Sequence, residues 1–254
     1  MSTPLGCLDQ GRCYLALDGV FCDLEGSPMF TSGYPSEGVA FEDGEGQVVM
    51  LDRLALEELL DCKFVTYVLF ARARDLQSRQ CWAFPPPVSP AFPFGPLQSS
   101  AAAGCEALLR EGGFLYERLS IRRVGVIDGV DAGLGLFTRG SVSRGECLGE
   151  YTGCIRERGG EEDATDDYGY ALPMMDPDFV LSAARYGNLC RLINHSDDAW
   201  NSELVSVHHE GIVHVVCRTV RDLAAGEQVL IHYGAKYWDN PRRRRVDLRG
   251  TTDT

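Results

Sequence analysis

Hydrophobic and polar positions change their pattern twice along this chain. Near the N-terminus, Cys13-Tyr14-Leu15-Ala16-Leu17 and Val20-Phe21-Cys22-Asp23-Leu24 flank Asp18-Gly19. That dipeptide suits a tight hairpin, because both central residues of a type I′ turn need positive φ. Asp52 has the character of a helix N-cap, with Leu51 and Leu56 spaced as a hydrophobic staple, and the spacing predicts a helix to about Cys62. The apolar run 64–70 reads as a buried strand, although so short a run does not exclude helix. Prolines 85, 86, 87, 90, 93 and 96 then interrupt the chain. Proline has no N–H for a ladder, so this is a linker or an extended surface segment, or a ligand for a partner's aromatic groove. A polar, alanine-rich stretch continues it to 104, and 105–109 suggests a short helix.

From about residue 119 the pattern becomes one of short strands. Strands are predicted over 119–127, 135–138 and 229–233, and a hairpin over 204–208 and 212–217 closes near His209-Glu210-Gly211. Gly140, Gly145, Gly149 and Gly153 supply the turns that many short strands require. The expected fold is therefore mostly β with short helices, with an N-terminal α+β extension. Four parts are expected: an N-terminal α+β unit over 1–83, a Pro/Ser/Ala-rich linker over 84–104, the strand-rich domain over 105–240 and a basic, polar tail over 241–254.

The chain has 254 residues, of which 44% are hydrophobic, enough for a folded core. Its formal net charge is −13. Phosphate backbones are bound by Lys and Arg, so direct nucleic-acid binding is not expected, whereas a basic peptide is an electrostatically suitable partner. No apolar run is long enough to span a bilayer, and the first residues lack a secretory pattern, so neither a membrane nor export by that route is expected. Ten cysteines are present but none as a C-x2-C pair, so no zinc site is expected and the thiols read as reduced and buried.

The chemistry concentrates late in the chain. Arg191-Leu192-Ile193-Asn194-His195-Ser196 is followed some forty residues on by Gly226-Glu227-Gln228-Val229-Leu230-Ile231-His232-Tyr233-Gly234. Upstream stand Gly133-Leu134-Gly135 and Glu150-Tyr151-Thr152-Gly153. Alone, a G-x-G turn is only a turn, and Asn-His-Ser only a polar loop. Together and in this order, over roughly residues 119–240, they resemble the SET-domain family of protein lysine methyltransferases.

That resemblance implies a SET-type β-clip fold, with small curled sheets and a threaded C-terminal segment. It implies S-adenosylmethionine as cofactor and a protein lysine as substrate, that of a histone tail first, and with it a nuclear, otherwise cytoplasmic, protein. By resemblance Tyr233 is catalytic and Tyr151 lines the lysine channel. Ala132, Gly133, Leu134 and Gly135 form the cofactor loop, and Tyr168, Arg191, Asn194, His195, Tyr237 and Trp238 complete the cofactor site. Ile231 and Leu204 occupy positions where other members carry a phenol that holds a water and restricts the methyl count. Neither side chain can hold that water, so di- or trimethylation is expected to be permitted.

The chain also departs from the family pattern. Many members have a cysteine after Asn-His-Ser and a C-terminal C-x-C cluster that bind zinc; here Asp197 stands after Ser196 and no such cluster follows. The channel must then be completed by residues 237–254 or by the N-terminal unit. The acidic run from Glu157 to Asp167 is a solvated loop or a wall that attracts a basic tail. Arg242 to Arg245 is a solvated tail, a nuclear-import signal or a substrate-like segment. Two other functional readings stand beside the enzyme acting on a histone: a non-catalytic SET module that binds proteins, and a methyltransferase for another protein.

Overall fold

The computed structural model describes residues 14–17, 20–22, 34–66, 68–71, 105, 116–159, 161–172, 179–209 and 212–248. The architecture is mostly β with short helices, its strands divided among several small sheets. Four expectations lie outside the described residues: the Asp18-Gly19 turn, the linker 84–104, the helix over 105–109 beyond Cys105, and the last residues from 249.

Strand Leu119–Arg123 pairs antiparallel with Leu134–Thr138 on one side and parallel with Val39–Glu42 on the other. Val39–Glu42 then carries Val48–Leu51 at the sheet edge. Leu119, Ile121 and Leu136 are fully buried in the main core. The expected strand over 119–127 is broken, because Gly125 adopts φ +89°, a left-handed turn that glycine alone takes at no steric cost. Val126–Ile127 consequently pairs in a separate hairpin with Val130–Asp131.

The stretch 64–70 is also not one strand. Lys63–Phe64 pairs parallel with Tyr186–Gly187, while Leu69–Phe70 lies between Tyr14–Leu17 and Cys154–Glu157. Between these two pairings the Val65 carbonyl accepts from the Thr152 hydroxyl at 2.7 Å. The predicted N-terminal hairpin is present as Tyr14–Leu17 against Val20–Cys22. Strands from the first 71 residues are thus hydrogen-bonded into the same sheets as the C-terminal half.

Helix Arg53–Leu60 begins as predicted, the Asp52 carboxylate accepting from the Ala55 amide at 2.9 Å. It ends before Cys62 because Asp61 turns into the left-handed region at φ +46°. Leu56 and Leu60 enter the core. Glu57, also buried, is satisfied by Lys63 Nζ at 2.7 Å and the Phe64 amide at 3.2 Å.

The C-terminal half closes on itself. Ser202–His209 and Ile212–Thr219 form the predicted hairpin, and Cys147–Glu150 pairs with its second strand. Residues 228–231 run between two distant parts of the chain. The Val229 amide donates to the Leu136 carbonyl at 2.8 Å, and Leu230–Ile231 pairs parallel with Asn194–His195. Asn201 fixes this segment, its Nδ2 donating to Gln228 O at 2.7 Å and its Oδ1 accepting from the Leu230 amide at 2.9 Å. The expected strand 229–233 stops at Ile231, since the Tyr233 amide is taken by a side chain rather than a ladder.

Of the described cysteines, Cys62, Cys105, Cys147, Cys190 and Cys217 are buried and Cys154 is half-buried. None is in a disulfide, although Cys105 Sγ and Cys147 Sγ lie 2.7 Å apart.

Candidate active site

The pairing of residues 194–195 with 230–231 brings the two late motifs into one place, beside a cleft of about 960 Å³. That size lies at the upper end of the ordinary range for small-molecule sites, about 300–1,000 Å³. Ala132, Gly133, Leu134, Tyr151, Tyr168, Arg191, Asn194, Leu204, Ile231, Tyr233 and Tyr237 all line it. Gly135, His195 and Trp238 do not.

The three that lie outside have other work. A Cβ on Gly135 would sit 2.5 Å from Gln228 Nε2 and 2.8 Å from Val124 Cγ2, so this glycine permits close packing behind the loop. Gly133 differs: its φ is +66° and a Cβ there would meet nothing within 4 Å, while its amide donates to Asp131 Oδ1 at 2.9 Å and its carbonyl accepts from the Val124 amide at 2.9 Å. His195 is buried and uses both ring nitrogens. Its Nδ1 accepts from the Tyr233 amide at 3.2 Å, so Nε2 carries the proton toward Asp197 Oδ1 at 3.1 Å. Burial lowers the His195 pKa from its ordinary value, with Asp197 pulling the other way, and the net lowering favours this neutral form. Trp238 packs on the His195 ring with centroids 4.9 Å apart.

At the cleft itself, Tyr233 Oη donates to the Ile193 carbonyl at 2.7 Å, and Tyr151 Oη donates to the Tyr168 carbonyl at 2.8 Å. Each phenol therefore spends its proton on a backbone carbonyl and keeps its oxygen lone pairs as acceptors. Burial pushes both pKa values well above the ordinary tyrosine range, and the neighbouring phenols and carboxylates add to this. Both remain neutral, so neither is a general base near pH 7. Tyr237, its ring 4.5 Å from that of Tyr233, is pushed up to about 12, again mainly by burial.

Asn194 Nδ2 donates to the Leu134 carbonyl at 3.0 Å, tying the Gly133 loop to the Asn-His-Ser loop. Its Oδ1 is left as an acceptor at the cleft, where it suits an ammonium. Arg191 serves the walls: Nε donates to Ala183 O at 3.0 Å and Nη1 to Leu60 O at 2.7 Å, while its guanidinium lies 4.0 Å over the Tyr168 ring. Among the described residues, no group of three or more His, Cys, Asp or Glu could hold a metal ion. Asp197, at the position of the absent cysteine, pairs instead with Arg245 and His195.

Several lining residues were not picked out from sequence: Leu59 and Leu60 at the end of helix Arg53–Leu60, Cys190, Glu203, and Trp200, which is 42% exposed. The only local sign of the Leu59 and Leu60 wall is the apolar face of that helix, which does not say where it docks. Part of the acidic run is engaged within the protein. Arg156 pairs with Asp163 and Asp166, and Arg243 with Asp167, so these three carboxylates are held by the protein's own arginines.

This geometry has a counterpart among known proteins. The SET domain family model matches residues 133–234. Residues 133–234 are thus similar to the SET domain. The chain is similar to histone-lysine N-methyltransferase EZH2 of Chaetomium thermophilum, 29% identical over 117 residues, covering 41% of this chain and 8% of that protein. It is also similar to human histone-lysine N-methyltransferase 2B, 31% identical over 122 residues, covering 46% of this chain and 4% of that one. The matched stretch thus spans a small part of both relatives. Among solved structures, ATXR5 in complex with mono-methylated histone H3.1 has the same fold, with TM-score 0.51 at 17% identity over 72% of this chain and 85% of that one.

Proposed function

We propose that this cleft transfers methyl groups from S-adenosylmethionine to the side-chain amine of a protein lysine. The observation that carries the reading is the pair Tyr151 and Tyr233. Both are neutral phenols at one cleft, Tyr151 buried and Tyr233 half-buried, each with its proton engaged by a carbonyl and its oxygen left to accept.

Bound in the cleft, S-adenosylmethionine supplies an activated methyl on a positively charged sulfur. Asn194 Oδ1 is the group that would hold the ammonium of its amino-acid end, and Tyr168 and Tyr237 offer aromatic faces to the remainder. The lysine must arrive as a free amine. From a reference pKa of about 10.4, deprotonation at pH 7 costs roughly 4.6 kcal/mol. A channel of Tyr151, Tyr170, Leu204 and Ile231 desolvates the ammonium and lowers that cost. The Tyr151 and Tyr233 oxygens accept the amine N–H groups and orient its lone pair. Positioning of this kind is worth up to about 7–11 kcal/mol, enough to exceed the deprotonation cost. With no ionised phenol present, the released proton passes to water.

The finer parts of the reading follow from the same residues. Ile231 and Leu204 line the cleft without a hydroxyl, which supports di- or trimethylation. The relatives' names support a histone tail as substrate and a nuclear location. The test is incubation of the full chain with methyl-labelled S-adenosylmethionine, a histone mixture and a whole-cell extract, with modified residues located by mass spectrometry. Label on histone lysines is expected. Label only on another protein replaces the substrate, and no label on any lysine contradicts the proposal.

A further inference from the structure

Residues 240–248 lie beyond the stretch that the SET model matches, which ends at 234. They nevertheless tie together parts of the cleft that are far apart in sequence. Arg243 is the centre of this strap, and its side chain is only 13% exposed. Its Nε donates to Asp167 Oδ1 at 2.8 Å, Nη1 to the Tyr237 carbonyl at 2.7 Å and Nη2 to the Asp166 carbonyl at 2.6 Å. The guanidinium also lies 3.9 Å over the Tyr237 ring. Only a planar fork with several fixed donors can make these contacts together; an ammonium cannot.

Two further bonds run the same way, from Tyr237 Oη to Asp167 O at 3.3 Å and from Asn240 Nδ2 to Ala164 O at 3.0 Å. Farther on, Arg245 pairs with Asp197, and Asp247 Oδ1 accepts from the Ser196 hydroxyl at 3.1 Å and the Asp197 amide at 2.9 Å. Leu248 is buried at the end of the strap.

The helix that receives this strap cannot hold itself. Ala235–Trp238 is four residues long, has no side-chain N-cap and buries none of its residues. A single turn is unfavourable on its own, so the position of Tyr237 has to come from outside contacts. Arg243 supplies them by joining the helix to the 166–168 wall, and Asp167, Tyr168 and Tyr237 all line the cleft.

We propose that Arg243 is a positioning residue that clips these two walls together and so sets affinity for S-adenosylmethionine. This rests on the methyl-transfer reading above. Because Asp167 is 57% exposed, the ion-pair part of the clip is open to salt screening.

The test is calorimetric titration of S-adenosylmethionine into the full chain and into R243A, R243K, D167N and the R243A/D167N double variant, each checked by thermal melting. Loss of the clip in R243A is expected to raise Kd about tenfold, the effect of losing charge-assisted hydrogen bonds that preorganise a site. R243K restores the charge without the fork and is expected to recover little of the affinity. D167N leaves the other Arg243 contacts in place and is expected to weaken binding less, adding little in the R243A background, since residues in one network are not additive. Wild-type affinity in R243A, or effects of R243A and D167N that add in full, overturn the clip while leaving the methyl-transfer reading intact. Absence of binding by the wild type removes that reading, and the clip with it.

Discussion

The backbone amide of Tyr233 donates to Nδ1 of His195 at 3.2 Å, and the opposite nitrogen of the same ring faces Asp197 at 3.1 Å. The histidine of one motif thereby holds the tyrosine of the other, from a position buried behind the cleft rather than lining it. Its contribution is to the placing of Tyr233, and it depends on a neutral ring.

That dependence gives a pH prediction. The His195 pKa is lowered in the folded protein, first by burial and against the pull of Asp197. A group with a depressed folded pKa contributes stability that is present above its unfolded value, about 6.5, and is lost as pH falls through the folded value. Thermal midpoint and turnover are expected to fall together on acidification below about pH 6.5, because protonation of Nδ1 removes the acceptor for Tyr233. His195→Ala is expected to start from a lower midpoint and to lose this part of the slope. A variant with an unchanged acid profile would assign the slope to other groups.

The two glycines of Gly133-Leu134-Gly135 are expected to respond differently to alanine. Gly135→Ala places a methyl against Gln228 and Val124 and is expected to destabilise by about 1–3 kcal/mol, the usual cost of overpacking. Gly133→Ala meets open space and carries only the strain of a positive φ, about 1–2 kcal/mol, but it stands at the cleft and is expected to weaken cofactor binding as well. Chemical denaturation and calorimetry of the two variants separate these effects.

Asn194→Ala is expected to weaken S-adenosylmethionine binding by about tenfold, since it removes an acceptor at the cleft and the bond to the Leu134 carbonyl. Affinity equal to wild type would place the amino-acid end of the cofactor elsewhere.

Ile231→Tyr introduces a hydroxyl at a cleft position that carries an aliphatic side chain. Mass spectra are expected to shift from di- or trimethyl product toward monomethyl. Wild-type enzyme giving only monomethyl product at saturation would contradict the role assigned to Ile231. The added bulk at a buried position is expected to cost about 1–3 kcal/mol of stability.

How much of this was legible in sequence depended on range. The hairpin around 210, the Asp52 cap and the two late motifs are local patterns, and each stands where its residues placed it. The break at Gly125 was not legible, because one glycine in an apolar run reads as a weak strand until a positive φ is seen. The arginines at 242–245 read as a solvated tail, an import signal or a substrate-like segment, since a charge run looks the same whether or not it has partners. Arg243 acquires its meaning only from Asp166 and Asp167, 76 and more residues away. The same holds for Leu59 and Leu60, whose place in the cleft is set by the Arg191 bond across the fold.

The most direct measurement compares methyl transfer by wild type and Tyr233→Phe on an identified protein substrate at saturating cofactor, with S-adenosylmethionine affinity measured in parallel. Losing a group that orients the reacting amine is expected to slow turnover by about 10²-fold while cofactor affinity stays near wild type. Turnover equal to wild type in Tyr233→Phe, or a loss of cofactor binding as large as the loss of rate, would contradict the assignment of this cleft's chemistry to Tyr233.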